Sequence, residues 1–478
     1  MTGSDITGSD ITGSRTATGA IADFTSGLTR SGVPDAVWDK AGRALLHNLA
    51  VAVAGAPLAG QALRYADRVG ALESGPSRLL TGGVRESGDD AALPMGQAAF
   101  TNAALMHARA QDDVYFPGLT HVGSTTIPAV LALAESLDSD ADELRLALVA
   151  GYEAAATVSH GVAATTTARR FRATAIFGAV GAAAGCARLL GLDARATRDA
   201  LGMAASMSGG TSQTWIAGTH EWQFQVGVAA RTGLQCALLA ASGGWGAPDA
   251  LEGPAGFFAA FAGDAALTPS TGHLGSQWRI EQVTFKPYPV CAILQAPVVA
   301  AIGLRDQLDA PVATGSLTMT PPEAHYPGTE ETGPFADVGG ALMSAGFCLS
   351  VALERGTVTT ADLLDHTDPR WLPAARRFAV VADDTLAERS FVLELTTASG
   401  RTARTEFQPD ATTFNWDGAE LGDQVRALGD QLPAGLDAEA LIEACIGTEP
   451  AGARRLVDIC LGAPAPSAVR HRTLEASP

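Results

Sequence analysis

The chain has 478 residues, more than one compact core normally holds, so two or three domains are expected. Its 32 lysines and arginines face 51 aspartates and glutamates, a net charge of −19, which argues against nucleic acid as a partner because phosphate binding needs a basic face. It is 47% hydrophobic and 17% charged and rich in alanine and glycine, a composition suited to closely packed helices.

The opening MTGSDITGSDITGS repeats the unit TGSDI and reads as a disordered tail through residue 18. It has neither the basic nor the apolar region of a signal peptide. The most apolar runs, such as LLHNLAVAVAGAPLAG, are broken by His, Asn, Gly and Pro before reaching spanning length, so no membrane segment is expected. The six cysteines are scattered without CxxC spacing, which favours reduced thiols over a disulfide frame or zinc site. These features together suggest a soluble, cytoplasmic protein.

From Pro34 to about Ala260 the spacing is helical. Helices are predicted over Ala92–Ala108, Ser124–Ser136, Ala141–Ser159, Thr174–Leu190, Ala194–Ser206 and Val226–Ala241, besides one opening at Pro34-Asp35. The period then changes. Trp278–Phe285, Gly315–Thr320, Arg377–Ala382, Phe391–Thr397 and Thr402–Phe407 alternate as strands do, the last two joined by the turn Ala398–Arg401. Gly339–Ala352 and Thr360–Leu363 read as helices between them, and helical spacing returns after Glu420. The fold class that follows is mostly α: a large all-helical domain (residues 19–277 and 411–478) interrupted by a smaller α+β lid domain (278–410).

The chemistry concentrates in NAALMHARAQDDVYFPGLTHVGSTTIPA, residues 102–129. His107, Asp112, Asp113 and His121 lie within fifteen residues between two apolar helices, and such a titratable island is costly to bury without partners or a purpose. Later pieces include Phe171-Arg-Ala-Thr-Ala-Ile-Phe-Gly178, Leu189-Leu-Gly-Leu-Asp193, Leu251-Glu-Gly253 with Gly256-Phe-Phe258, Phe285-Lys-Pro-Tyr-Pro-Val-Cys291, and SAGFCLSVALERG from Ser344. No HExxH motif or cysteine cluster supports a metal site, and the run Gly243–Gly246 lacks phosphate-loop or dinucleotide spacing.

In that order these segments resemble the MmgE/PrpD family, whose opening cluster usually runs HALDFDD…THPGS. The resemblance extends over most of the chain and implies the discontinuous layout above, a homodimer formed through the helical domain, and lyase chemistry of the 2-methylcitrate dehydratase type without metal or organic cofactor. Such chemistry needs a base near an acidic C–H, an acid, and cations for carboxylates. By resemblance His121, Asp112, Asp113 and Lys286 are the catalytic candidates.

Other family positions differ. The first acid of DFDD falls on Ala110, and one extra residue separates Asp113 from His121. Arg172 stands at a family histidine, Trp222 at a lysine, Gln225 at a second histidine, and Cys291 at the decarboxylase-type histidine, although cysteine is common there in other branches. With Tyr115 and Tyr288 these are the substrate-binding candidates. Losing a lysine and gaining a tryptophan removes a carboxylate anchor and adds an aromatic wall. A larger, more apolar organic acid or carbonyl compound, acted on by an isomerase, epimerase or cyclase, is therefore the alternative to a tricarboxylate, and a catalytically silent paralogue the second.

Bland readings accompany each residue. His121 could simply hold its loop, and one of Asp112 and Asp113 could cap the next turn. His107 reads as a packed core histidine, Lys286 as a hinge lysine, Arg172 as half of a solvated pair with Arg170, and Trp222 as plain core.

Overall fold

The computed structural model describes residues 16–81 and 92–462. The repeat at residues 1–15 lies outside these; residues 16–18 of the predicted tail are ordered instead, because Thr16 caps a helix that begins at Ala17, accepting a bond from Gly19 N (3.0 Å).

Helices α1 (Ala17–Gly27), α2 (Asp35–Ala54), α3 (Gly60–Gly70), α4 (Met95–His107), α5 (Val122–Leu137) and α6 (Ala141–Ser159) open the chain. They are followed by α7 (Ala163–Ala168), α8 (Ala173–Leu189), α9 (Ala194–Met207), α10 (Gln213–Ala217), α11 (Glu221–Ala241) and α12 (Phe257–Phe261). Helix α5 is buried almost all round and packs against α4, α6, α8 and α11, so its first residue starts at the centre of the assembly. The Ala and Gly content has its use where α6 meets α8. A Cβ on Gly181 would lie 2.7 Å from the Ala155 Cβ and 2.9 Å from the Gly151 carbonyl, so only a bare backbone fits that crossing.

Helix α13 (Gln295–Leu304) leads into a four-stranded sheet of order β2-β1-β3-β4. Its strands are β1 (Val312–Met319), β2 (Phe378–Ala382), β3 (Phe391–Thr397) and β4 (Thr402–Phe407). Strands β1 and β2 are parallel, as their long helical crossover requires, and the other pairs are antiparallel. The crossover holds α14 (Pro321–Ala324), α15 (Val338–Met343), α16 (Ala345–Arg355), α17 (Thr360–Leu364) and α18 (Trp371–Ala375). Helices α19 (Gly418–Ala427) and α20 (Ala438–Ile446) then return to pack on α2, and α21 (Ala453–Cys460) on α5. No helix among the described residues is long and apolar enough to cross a membrane.

The structure is mostly α with a smaller α+β part, as the sequence reading expected. Three elements differ. Trp278–Phe285 is not a strand; Arg279–Gln282 forms a short 3₁₀ turn. Its neighbouring backbone groups are met by side chains, Ile280 N by Glu153 (2.9 Å) and Val283 O by Lys40 (2.6 Å), and only Thr284 pairs as a strand would, with Val114. Gly339–Ala352 is two helices, because the Ser344 hydroxyl caps the second by accepting from Phe347 N (3.1 Å). Helix α11 begins at Glu221, five residues before the predicted Val226.

Candidate active site

Helix α4 ends at His107, and three residues later the chain enters the left-handed region at Ala110 (φ +52°). A residue bearing a Cβ takes that conformation only under constraint. Here the constraint is lacing. His47 Nε2 donates to Gln111 O (2.7 Å), and Gln111 Nε2 donates to the carbonyls of Lys286 (3.0 Å) and Pro287 (2.9 Å). Val114 and Thr284 exchange two backbone bonds (3.0 and 2.9 Å). The acidic loop and the Lys286 segment are thereby locked side by side.

Asp112 sits at the meeting point and is fully buried. Its Oδ2 accepts from His107 Nδ1 (2.7 Å). Its Oδ1 faces Lys286 Nζ at 3.5 Å and His121 Nδ1 at 3.8 Å and has no hydrogen bond of its own. Burial alone would raise this carboxyl, but His107, His121 and Lys286 hold it well below the ordinary carboxylate range. Burial lowers the Lys286 ammonium, and Asp112 opposes that shift. Lys286 also donates to Ala110 O (2.6 Å).

His121 is the N-cap of α5, so its side chain stands at the mouth of the central helix. Its Nδ1–H donates to Asp113 O (2.8 Å), which fixes the tautomer and leaves Nε2 as the lone-pair nitrogen. Burial, with Lys286 next, puts its pKa well below the usual imidazole value, so the ring is neutral at pH 7. Its side chain is 18% exposed, while those of Asp112, Lys286 and His107 are exposed by 2% or less.

The remaining candidates divide. Arg172 reaches inward, donating to His107 Nε2, to Trp222 O and to Gln225 Oε1 (3.2 Å). Its guanidinium lies over the Trp215 ring at 5.2 Å. Trp222 is fully buried with its ring against His107 (centroids 5.1 Å) and Trp215 (5.3 Å), so it backs the cluster. Gln225 holds Arg172 from one side and Thr211 O from the other (3.0 Å). Cys291 is the one described cysteine that is not buried, and its N–H donates to Leu342 O (3.0 Å). Tyr288 is half-buried, and the backbone N and O at this position are gripped by the Gln295 amide (3.1 and 2.9 Å).

Two candidates face elsewhere. The Asp113 side chain turns away from the cluster: Oδ1 accepts from Gly123 N (2.9 Å), and Oδ2 from Asn48 Nδ2 (2.9 Å) and the Tyr152 hydroxyl. It anchors the start of α5, where a carboxylate suits the exposed backbone donors. Tyr115 is buried with its hydroxyl between His160 Nδ1 (2.6 Å) and Arg279 Nη1 (3.3 Å), a separate polar group outside the cluster. The loop reversal explains both: adjacent residues in an extended segment project to opposite sides.

Sequence reasoning missed three participants. His107, read as a core histidine, is buried but bridges Asp112 and Arg172. Gln111 carries the lacing, and nothing in its neighbourhood of the sequence marks it. Tyr326 has its hydroxyl pushed up to about 12 by burial, with the Arg172 cation opposing that shift, and it follows a Pro-Pro turn with no motif around it.

The model of the MmgE/PrpD N-terminal domain matches residues 19–270. Human cis-aconitate decarboxylase is 31% identical over 227 residues, 46% of this chain and 46% of that protein. The Aspergillus terreus cis-aconitate decarboxylase is 26% identical over 70% of this chain and 71% of its own length. A cis-aconitate decarboxylase-like protein of Aspergillus oryzae, oryM, is 27% identical over 78% and 80% respectively. The chain thus spans about half the length of the human relative and more of the fungal ones. A family model that covers more than half of the chain, and that includes the His107–His121 loop and Arg172, leads to one conclusion: the chain belongs to the MmgE/PrpD family.

Proposed function

We propose that this protein is a lyase of the MmgE/PrpD type that moves a proton at a carbon beside a carboxylate or carbonyl, using side chains as acid and base. The observation that carries the reading is His121: Nδ1 is committed to a backbone carbonyl, and Nε2 is an unprotonated base on the most accessible side chain of the cluster. Lys286 supplies the complementary charge. Of the three N–H groups on an ammonium, one goes to Ala110 O and one toward Asp112 Oδ1; His121 Nδ1 lies 3.3 Å away but, already donating to Asp113 O, accepts none, which leaves one for a substrate oxygen. In this mechanism His121 Nε2 removes the proton, the developing enolate oxygen is met by Lys286, and buried Asp112 keeps Lys286 charged. His121, once protonated, returns the proton to the departing group or to carbon. The names of the relatives, cis-aconitate decarboxylases, support a carbon–carbon lyase.

The aromatic layer favours the second reading, an isomerase, epimerase or cyclase on a larger apolar acid. Trp222, which stands where the resembling family carries a lysine, lies against His107 with Trp215 packed on it, so that flank holds rings in place of an ammonium. The convergence of His121, Asp112 and Lys286 counts against a silent paralogue.

Incubation of a panel of mono-, di- and tricarboxylates in deuterated water, followed by mass spectrometry, tests the proposal. Deuterium should enter, or product form, with the native protein and not with folded His121→Ala. Equal exchange in both proteins would remove His121 from the chemistry, and no exchange with any acid would favour the silent paralogue.

A further inference from the structure

Where the resembling family carries histidine, lysine and histidine, this chain has Arg172, Trp222 and Gln225, and the structure places these three in contact with one another. We propose that Arg172 is a positioning residue that keeps His107 Nε2 bare, in the tautomer Asp112 also requires, and so steadies Asp112, and that Trp222 and Gln225 are its supports, so the three substitutions form one unit. The proposal rests on the proton-transfer reading for its catalytic consequence and on geometry alone for its structural one.

A guanidinium is always a donor and never an acceptor. Arg172 Nη2 therefore donates to His107 Nε2, which must offer a lone pair. The His107 proton is then confined to Nδ1, where it meets Asp112 Oδ2 at 2.7 Å. With Oδ2 held, Oδ1 is turned to Lys286 (3.5 Å) and His121 (3.8 Å). The chain of bonds runs from Arg172 to His107 to Asp112, and it ends on the two groups proposed to do the chemistry.

The supports are equally specific. Both hydrogens of Arg172 Nη1 are spent, on Trp222 O and on Gln225 Oε1 (3.2 Å), and Gln225 is itself steadied by Thr211 O (3.0 Å). The Trp222 ring stands edge-on to His107, and the Trp215 ring lies beneath the guanidinium. A lysine at position 222 would put a second cation beside Arg172, and a histidine at 225 would compete with it for the same space. The substitutions are compatible together and conflict singly with the family pattern. The consequence for substrate class is that Arg172 spends its strongest directional donors on the protein. Lys286 is left as the main anion contact, and a substrate with one carboxylate or carbonyl fits better than a tricarboxylate.

The test reads the histidine rings directly. In protein labelled with ¹⁵N-histidine, His107 should show a protonated Nδ1, a bare Nε2 and no titration between about pH 5.5 and 8.5. The groups facing it are Asp112, Arg172, Lys286 and His121. In Arg172→Gln one cation that disfavours a charged His107 is gone, so its pKa should rise from about 4 and Nε2 should take up a second proton more readily, while Asp112 still holds the proton on Nδ1. Arg172→Lys, which keeps the charge but not the fork, should restore the native pKa in part. Gln225→Ala keeps Arg172 and His107 but removes a support of the guanidinium, and should broaden the His107 signals; it serves as the test where Arg172→Gln does not fold. An unchanged His107 spectrum in either folded variant overturns the proposal whatever the substrate is. With any substrate found, kcat should fall about tenfold or more in Arg172→Gln with KM little changed. A rise in KM alone would make Arg172 a substrate anchor and overturn its positioning role.

Discussion

Asp112 and Asp113 are consecutive, and both are fully buried, yet they serve two different regions of the molecule. Asp113 faces the start of α5 and is met by a backbone amide, an asparagine amide and a tyrosine hydroxyl. All its partners are neutral, and burial raises its pKa to about 6. Asp112 faces Lys286, His107 and His121, keeps one oxygen without a hydrogen bond, and stays ionised. A buried carboxylate whose bonds are all met by neutral donors is a fastening. One ringed by titratable groups and incompletely satisfied is the one the proposed mechanism uses. The same residue type one position apart thus takes on two roles, decided by what surrounds each oxygen.

Four substitutions sharpen or break that contrast. Asp112→Asn should have the largest effect, a loss of roughly 10³-fold in kcat, because it removes the charge that keeps Lys286 protonated and that orients His107. Steady-state kinetics with a thermal melt checks it, and a loss under tenfold in a folded protein would make Asp112 a fastening like its neighbour. Lys286→Met should cost about 10²-fold or more through loss of the oxygen contact, with KM also raised. A variant with unchanged kcat would leave Lys286 outside the mechanism.

Asp113→Asn should act on stability instead. The folded value of about 6 lies above the ordinary 3.8, so the folded protein binds a proton more tightly than the unfolded chain does. The contribution of this group is therefore full below about pH 4 and is lost as pH rises through 6, by about 3 kcal/mol at most. Urea unfolding at acid and neutral pH should show native stability falling relative to Asp113→Asn across that window. A constant difference would mean that Asp113 does not titrate there. Activity should drop modestly, because His121 bonds the Asp113 carbonyl and not its carboxylate.

Tyr115→Phe should have the smallest effect. It deletes a hydroxyl bonded to His160 and Arg279, about 1 kcal/mol of stability, and should leave activity within about twofold. A large kinetic loss would place Tyr115 in the site after all.

Much of the fold was legible because helical periodicity is local. The limits of Ala141–Ser159 were read to the residue from its spacing, and in the structure Asp140 and Glu143 form a capping box at its start. The hairpin around Ala398–Arg401 was equally plain, with Gly400 at φ +88° where the turn needs it. Trp278–Phe285 misled because alternation signals an extended chain facing two environments, and it does not say whether a partner strand exists. Glu153 and Lys40, far away in the sequence, took the neighbouring backbone groups instead.

The sequence by itself determined the helical class, the family resemblance, and a short list containing His121, Asp112 and Lys286. Those follow from local spacing and from residue types in a fixed order. Tertiary structure alone decided which carboxylate faces the cluster, that Tyr115 leaves it, and that His107 joins it through Arg172. The left-handed turn at Ala110 sets those directions, and it is held by Gln111, His47 and the Lys286 segment, contacts that span up to 176 positions of chain. The side on which an oxygen points depends on such distant partners, and no local pattern of residues encodes them.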